Sequence, residues 1–440
     1  MQTGRPGTPG EPRWLDAEFD RLIAFARGAR LADGGFGRLD DVGVPSSDDT
    51  VHTWITARMT HVFALAHLRG VPDAAPLVDH GVVALSSLLR DAGHGGWYTS
   101  VHRDGRPVAT EKRAYDHAFV VLAAAGASIA ARPGADELLG EALEVVERRF
   151  WSETEHACVE TWDRAWASCE AYRGANSNMH AVEGFLAAAD ATGDPVWRTR
   201  ALRIAERVVH EHARGNAWRL IEHFDVSWRP AYEYNRDRLD DPFRPYAATV
   251  GHWFEWARLL VSLAACVPDP PGWLLDDAAA LFAAGVREGW HADGRAGFVY
   301  TVDWDGKPVV RTRMHWVLAE AVMAAAALHE ATGDPDYDRW YRTWWAHAET
   351  FFVDPAHGSW HHELDADNRP SATVWSGKPD AYHAVQATLL PRLPAAPAPA
   401  EALRRGHLID GARVLPRGDE PPVRRVPNGP GTRGFGEVGP

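Results

Sequence analysis

The sequence predicts an all-α fold, an (α/α)6 barrel of about twelve helices with short β-hairpin loops at one end. Three observations carry that expectation. Apolar residues recur at helical spacing through most of the 440-residue chain. The tag Ala-Thr-Gly-Asp-Pro occurs twice, at 191–195 and 331–335, each time after an Ala-rich helix (Ala187–Ala189 and Ala324–Ala327). A hairpin-like unit recurs between helices: Gly95–Pro107, Ala296–Pro308 and His357–Pro370 each run from Gly and an aromatic to Asp-Gly or Asp-Asn, a basic residue and Pro. Those dipeptides are hairpin-turn chemistry. The turns at Asp305 and Asp367 stand 62 residues apart, and the turn at Asp104 lies 201 residues before Asp305, somewhat over three such intervals. Two helices and a hairpin loop per unit imply an array of helical hairpins, which a closed double ring satisfies.

Taken in order, residues 1–12 are Gly/Pro-rich and read as disordered. Helices are expected over 14–30, 50–70, 74–93, 112–131, 136–151, 176–191, 194–213, 249–266, 273–290, 313–331, 335–352 and 379–391, giving one barrel domain over 13–391. Asp194-Pro195 and Asp334-Pro335 place a capping Asp before a Pro at a helix start. From 392 to 440 the chain turns Pro-, Arg- and Gly-rich, too poor in apolar residues to fold alone.

Composition narrows the function. With 46 Lys and Arg against 60 Asp and Glu, the net charge is −14, which argues against nucleic acid or an anionic membrane as partner. Cys158, Cys169 and Cys266 are scattered and form neither a disulfide framework nor a metal knuckle. No apolar run approaches a membrane span and the N-terminus has no apolar signal core, so a cytoplasmic protein is expected. The 20 Trp suggest that many line a sugar-binding cleft rather than a core.

Polar residues then interrupt otherwise apolar helices, each near a helix start: Arg58, Tyr115 with Asp116 and His117, Asn176 with Asn178 and His180, His252 with Glu255, Glu320, and His383. The centre of this set is Gly251-His-Trp-Phe-Glu-Trp256, where Trp253, Trp256, Leu259 and Leu260 mark a buried helix. His252 and Glu255 share one of its faces, three residues apart. In a barrel, such residues from six inner helices converge on one mouth. Glu255 and Glu320 could instead be a hydrolase's carboxylate pair, although two histidines would then be superfluous. Arg58 is a possible partner for Glu255 or Glu320. His361-His362-Glu363 reads as a solvated run, and no His/Asp/Glu set has tight metal-ligand spacing, so neither metal nor cofactor is expected.

The segments Ala175-Asn-Ser-Asn-Met-His180, Tyr115-Asp-His-Ala-Phe119, Thr249–Trp256, Arg313–Glu320 and Gly377–His383 resemble the signature segments of the N-acylglucosamine 2-epimerase superfamily. Asp241-Pro-Phe-Arg-Pro-Tyr246, His315-Trp-Val317 and Lys378-Pro-Asp380 look most like its D-mannose isomerase branch. The resemblance implies the same barrel, His252 and His383 as catalytic residues, and Arg58, Tyr115, Asn176, His180, Glu255, Trp316 and Glu320 as substrate-holding and supporting residues. It implies a metal-independent aldose–ketose isomerase acting on a monosaccharide, as a monomer or homodimer. The alternative within the family is a sugar 2-epimerase using the same histidines. By the same analogy His383 is the base, His252 is tuned by Glu255, and Glu320 holds sugar hydroxyls.

Overall fold

A computed structural model describes residues 7–409. The twelve expected helices are α1 (Pro12–Ala26), α2 (Thr53–Leu68), α3 (Ala75–Ser86), α4 (Ala114–Ile129), α5 (Ala135–Val145), α6 (Ala175–Thr192), α7 (Val196–Ala205), α8 (Val250–Cys266), α9 (Trp273–Gly289), α10 (His315–Thr332), α11 (Pro335–His347) and α12 (Tyr382–Leu389). The outer helices α5, α7 and α11 continue as π-helical turns through Phe150, Ala213 and Phe352.

The even-numbered helices pack in a closed ring, α2 on α4, α4 on α6, α6 on α8, α8 on α10, α10 on α12 and α12 back on α2. Each odd-numbered helix covers the inner helix before it in the chain, and α1 covers α12. The sequence assigns these places. α2 and α4 are buried at nearly every position, as a helix enclosed on all sides must be. By contrast α1 and α5 bury one face only. Runs of alanine on inner helices, Ala123–Ala125, Ala187–Ala189 and Ala324–Ala326, lie in the core and let neighbouring backbones approach closely.

The helix starts explain how the ring is stitched together. A short strand precedes each of α2, α4, α6, α8 and α10 and pairs antiparallel with a strand in the following interhelix loop. Few side chains cap these helices. Instead the first backbone N–H of each inner helix donates to a carbonyl of that loop: Thr53 to Thr99, Ala114 to Glu160, Ala175 to Glu222, Val250 to Tyr300 and His315 to His362. The three expected hairpins are present, closed by His102 N–H to Arg106 O, Asp303 N–H to Lys307 O and Asp365 N–H to Arg369 O. Gly105, Gly306 and Asn368 take positive φ at the turn. Two further loops close the same way without an Asp-Gly signal, at Asp225–Arg229 and Asp40–Val44.

Three expectations are corrected here. The tryptophans mostly serve the core: Trp14, Trp97, Trp253, Trp256, Trp344, Trp345 and Trp360 are fully buried, packing outer helices against hairpins. Asp334 caps α11 through the Asp336 N–H, but α7 begins one residue after Pro195, with Asp194 accepting from the Val196 N–H at 2.9 Å. His361-His362-Glu363 is no solvated run. His362 and Glu363 are buried, and Glu363 accepts from the backbone of Thr373, Val374 and Trp375. Beyond 391 the chain adds a thirteenth helix, α13 (Pro399–Arg404), packed against α2, α4 and α6. The remainder of the expected tail, 410–440, lies outside the described residues, as do residues 1–6 of the expected disordered N-terminus. Among the described residues, no helix is long and apolar enough to cross a membrane.

Candidate active site

A cavity opens among the N-terminal ends of the inner helices. Six helix N-termini therefore face one space, and their aligned dipoles favour negative charge developing there. Eight of the nine expected site residues line it: Arg58, Tyr115, Asn176, His180, His252, Glu255, Trp316 and His383. Asp116 and His117 do not. Asp116 accepts from the Thr99 hydroxyl and His117 accepts from the Trp97 N–H, so the pair braces a hairpin. Asn178 holds the Cys158 backbone at both its N–H and its carbonyl.

The two histidines have matching supports. His252 Nδ1 lies 2.9 Å from Glu222, and His383 Nδ1 lies 3.1 Å from Glu320. A carboxylate accepts, so each Nδ1 carries the proton and each Nε2 keeps its lone pair. The partner of His252 is Glu222, not the expected Glu255. Glu222 sits in the loop whose carbonyl caps α6, a position that helical spacing cannot link to His252. Burial holds His383 well below the usual imidazole range, with Arg58 adding to the effect.

Trp316 neighbours both imidazoles, its ring centroid 5.2 Å from that of His252 and 5.8 Å from that of His383. Gly251 makes room for it: a Cβ there would stand 2.2 Å from Trp316 Cζ3. Gly251→Ala is accordingly expected to push the indole into the cavity and lower kcat/KM by about 100-fold without unfolding the barrel. Steady-state kinetics beside a melting curve checks this.

Arg58 is buried against the faces of Phe119, Tyr382 and Trp54, at 4.3, 4.8 and 5.0 Å. Its Nη1 lies 3.3 Å from Asp380, and its Nη2 donates to the Tyr115 hydroxyl at 2.9 Å. Burial works against the charge, but Tyr115 and Asp380 hold the guanidinium firmly protonated. Arg58 therefore does not pair with Glu255 or Glu320.

Glu320 is the expected site residue that stands off the cavity. It is fully buried behind His383, with its carboxylate 3.1 Å from His383 Nδ1 and accepting from Arg258 Nε at 3.1 Å. The Arg258 guanidinium also stands 3.8 Å from Glu183 and 3.9 Å from Glu255. Burial, and then Glu320, push the Glu255 carboxyl on the cavity wall well above the usual carboxylate range. His180, Glu183 and Glu255 bring ligand atoms within 4.8 Å of one another, a grouping that linear spacing hides. The Arg258 charge against two of them already supplies what a cation would. Sequence reasoning also missed Trp54, Phe243, Tyr300, His315, His362, Trp375 and Asp380 on the cavity wall.

The profile of the N-acylglucosamine 2-epimerase (GlcNAc 2-epimerase) family matches residues 34–387. The chain is 58% identical over 391 residues to a D-mannose isomerase of Thermobifida fusca, covering 89% of this chain and 96% of that one. It is 52% identical over 400 residues to a D-mannose isomerase of Pseudomonas cannabina pv. alisalensis, covering 90% and 96%. A crystal structure of a D-mannose isomerase superposes with a TM-score of 0.80 at 27% identity, covering 85% of this chain and 96% of that one. With its closed double ring and its histidine-bearing mouth, the chain belongs to the N-acylglucosamine 2-epimerase family and is an isomerase.

Proposed function

We propose that this enzyme interconverts D-mannose and D-fructose without a metal ion, through a cis-enediol(ate). The observation that supports this best is the pair of imidazoles beside Trp316, each with Nδ1 on a buried glutamate and Nε2 left as the acceptor. Moving hydrogen from C2 to C1 requires a base near both carbons, and a neutral histidine suits that task.

In this reading His252 Nε2 takes the anomeric hydroxyl proton and passes it to the ring oxygen as the C1–O5 bond breaks. His383 Nε2 then removes the C2 proton, the electron pair forms the C1–C2 double bond, and the negative charge moves to O1. His252 carries the O2 proton to O1 while His383 returns its proton to C1, leaving a C2 ketone. Arg58 and the helix N-termini stabilise the charge passing through O1 and O2, and the Glu255 carboxyl on the cavity wall holds a sugar hydroxyl. Trp316 gives the sugar an apolar face. The hydrolase alternative loses support because Glu320 stands off the cavity.

Incubation with D-mannose and a chelator, followed by carbon NMR, tests this. Fructose should accumulate. Glucose without fructose would make the protein a 2-epimerase, and fructose only after metal is restored would refute the metal-free mechanism.

A further inference from the structure

Two histidines on the cavity wall have no part in those steps. His315 opens α10, and His362 lies in the loop whose carbonyl receives the His315 N–H at 3.1 Å. Their rings stack with centroids 3.7 Å apart and planes inclined by 25°, and both line the cavity. His315 Nδ1 lies 3.2 Å from the same His362 carbonyl. A carbonyl only accepts, so this Nδ1 carries the proton and Nε2 is left as an acceptor. His362 Nε2 is buried with no hydrogen-bond partner. The His315 ring also stands edge-on to His383, 6.2 Å away at 82°.

Burial pushes the His315 imidazole down to about 4, and holds His362 well below its usual range. At neutral pH the pair is uncharged and suits hydroxyls better than a phosphate or a carboxylate. A buried nitrogen without a partner is costly, and such groups persist where a ligand supplies the missing bond. Two rings in face-to-face contact also hold their nitrogens at a spacing that adjacent sugar hydroxyls can match.

We propose that His315 and His362 together bind a vicinal diol of the open-chain sugar, the hydroxyls on C3 and C4, and so hold C2 against His383. The assignment to C3 and C4 follows from the contact between His315 and the base, since these hydroxyls follow directly on the reacting carbons. It rests on the mannose isomerase reading given above.

The variants His315→Phe and His362→Phe keep an aromatic ring in the stack and remove its nitrogens, and His315→Asn restores a hydrogen-bonding group. Each is assayed on D-mannose and on D-lyxose, which is mannose without C6, with D-mannitol as an unreactive competitor. His315→Phe should lower kcat/KM by about 10- to 100-fold on both sugars alike and weaken mannitol inhibition, with His315→Asn recovering part of each. A loss confined to mannose would overturn the assignment, since only mannose has a C5–C6 diol. Unchanged kcat/KM, or equal losses in Phe and Asn variants with mannitol inhibition intact, would overturn the binding role. Should the parent enzyme turn over neither sugar, the mannose isomerase reading fails, and mannitol affinity still tests the pair.

Discussion

His383→Ala is expected to lower kcat on mannose by about 10³- to 10⁴-fold while mannitol still binds. A positioned acid–base group contributes on the order of 10²- to 10⁴-fold, and the other cavity histidines have other work. His252, beside Trp316, serves the oxygens in the proposed mechanism, and His315 is assigned with His362 to the sugar hydroxyls. His180 Nδ1 is turned toward Glu183 and Glu255, at 3.8 and 3.6 Å. The change should leave the fold intact, because His383 reaches one charged partner, Glu320, and Arg258 still satisfies that carboxylate. Single-turnover kinetics beside a mannitol titration separates the two effects. Near-normal turnover would remove His383 from the proton path, and a matching loss of mannitol binding would recast it as a binding residue.

The variant also exposes what the linear sequence can and cannot show. His383 and His252 were legible as polar residues at the starts of apolar helices, and the family resemblance set them apart from the other candidates. The ring was legible because inner helices must be apolar all round and their loops repeat. What stayed hidden were residues whose meaning depends on pairing between repeats. Glu222 and His362 occupy equivalent loop places, just where a carbonyl caps the preceding inner helix. One accepts from His252 Nδ1 and the other stacks on His315. The hairpin signature was read in three loops only, because Asp225–Arg229 and Asp40–Val44 lack the Asp-Gly or Asp-Asn pair. Had these loops been aligned, Glu222 would have fallen in register with His362. Helical spacing led instead to Glu255 as the partner of His252, since the two share a face of α8, but Glu255 points to the carboxylate cluster around Arg258. Arg258 was passed over entirely, being one basic residue in the third turn of a helix already credited with its chemistry.

Arg258→Met is expected to destabilise the protein by about 3–5 kcal/mol, the usual cost of leaving buried charge unpaired. In the parent the guanidinium is buried against Glu320, Glu183 and Glu255. Methionine fills the volume but leaves the carboxyls to repel one another. The pH dependence identifies the cause. Burial already raises Glu255, with Glu320 adding to it, and removing Arg258 raises the cluster further. A carboxyl whose folded pKa lies above its unfolded value favours folding below the unfolded value, and that advantage is lost as pH rises through the folded one. The stability deficit of Arg258→Met should therefore be largest above neutrality and shrink as the solution is acidified toward pH 5. Denaturant midpoints for parent and variant across that range measure it directly. A deficit independent of pH would mean that Arg258 acts through packing, and the like-charge account of this cluster would fall. Turnover should drop together with stability, because Arg258 is what holds the Glu320 carboxylate behind His383.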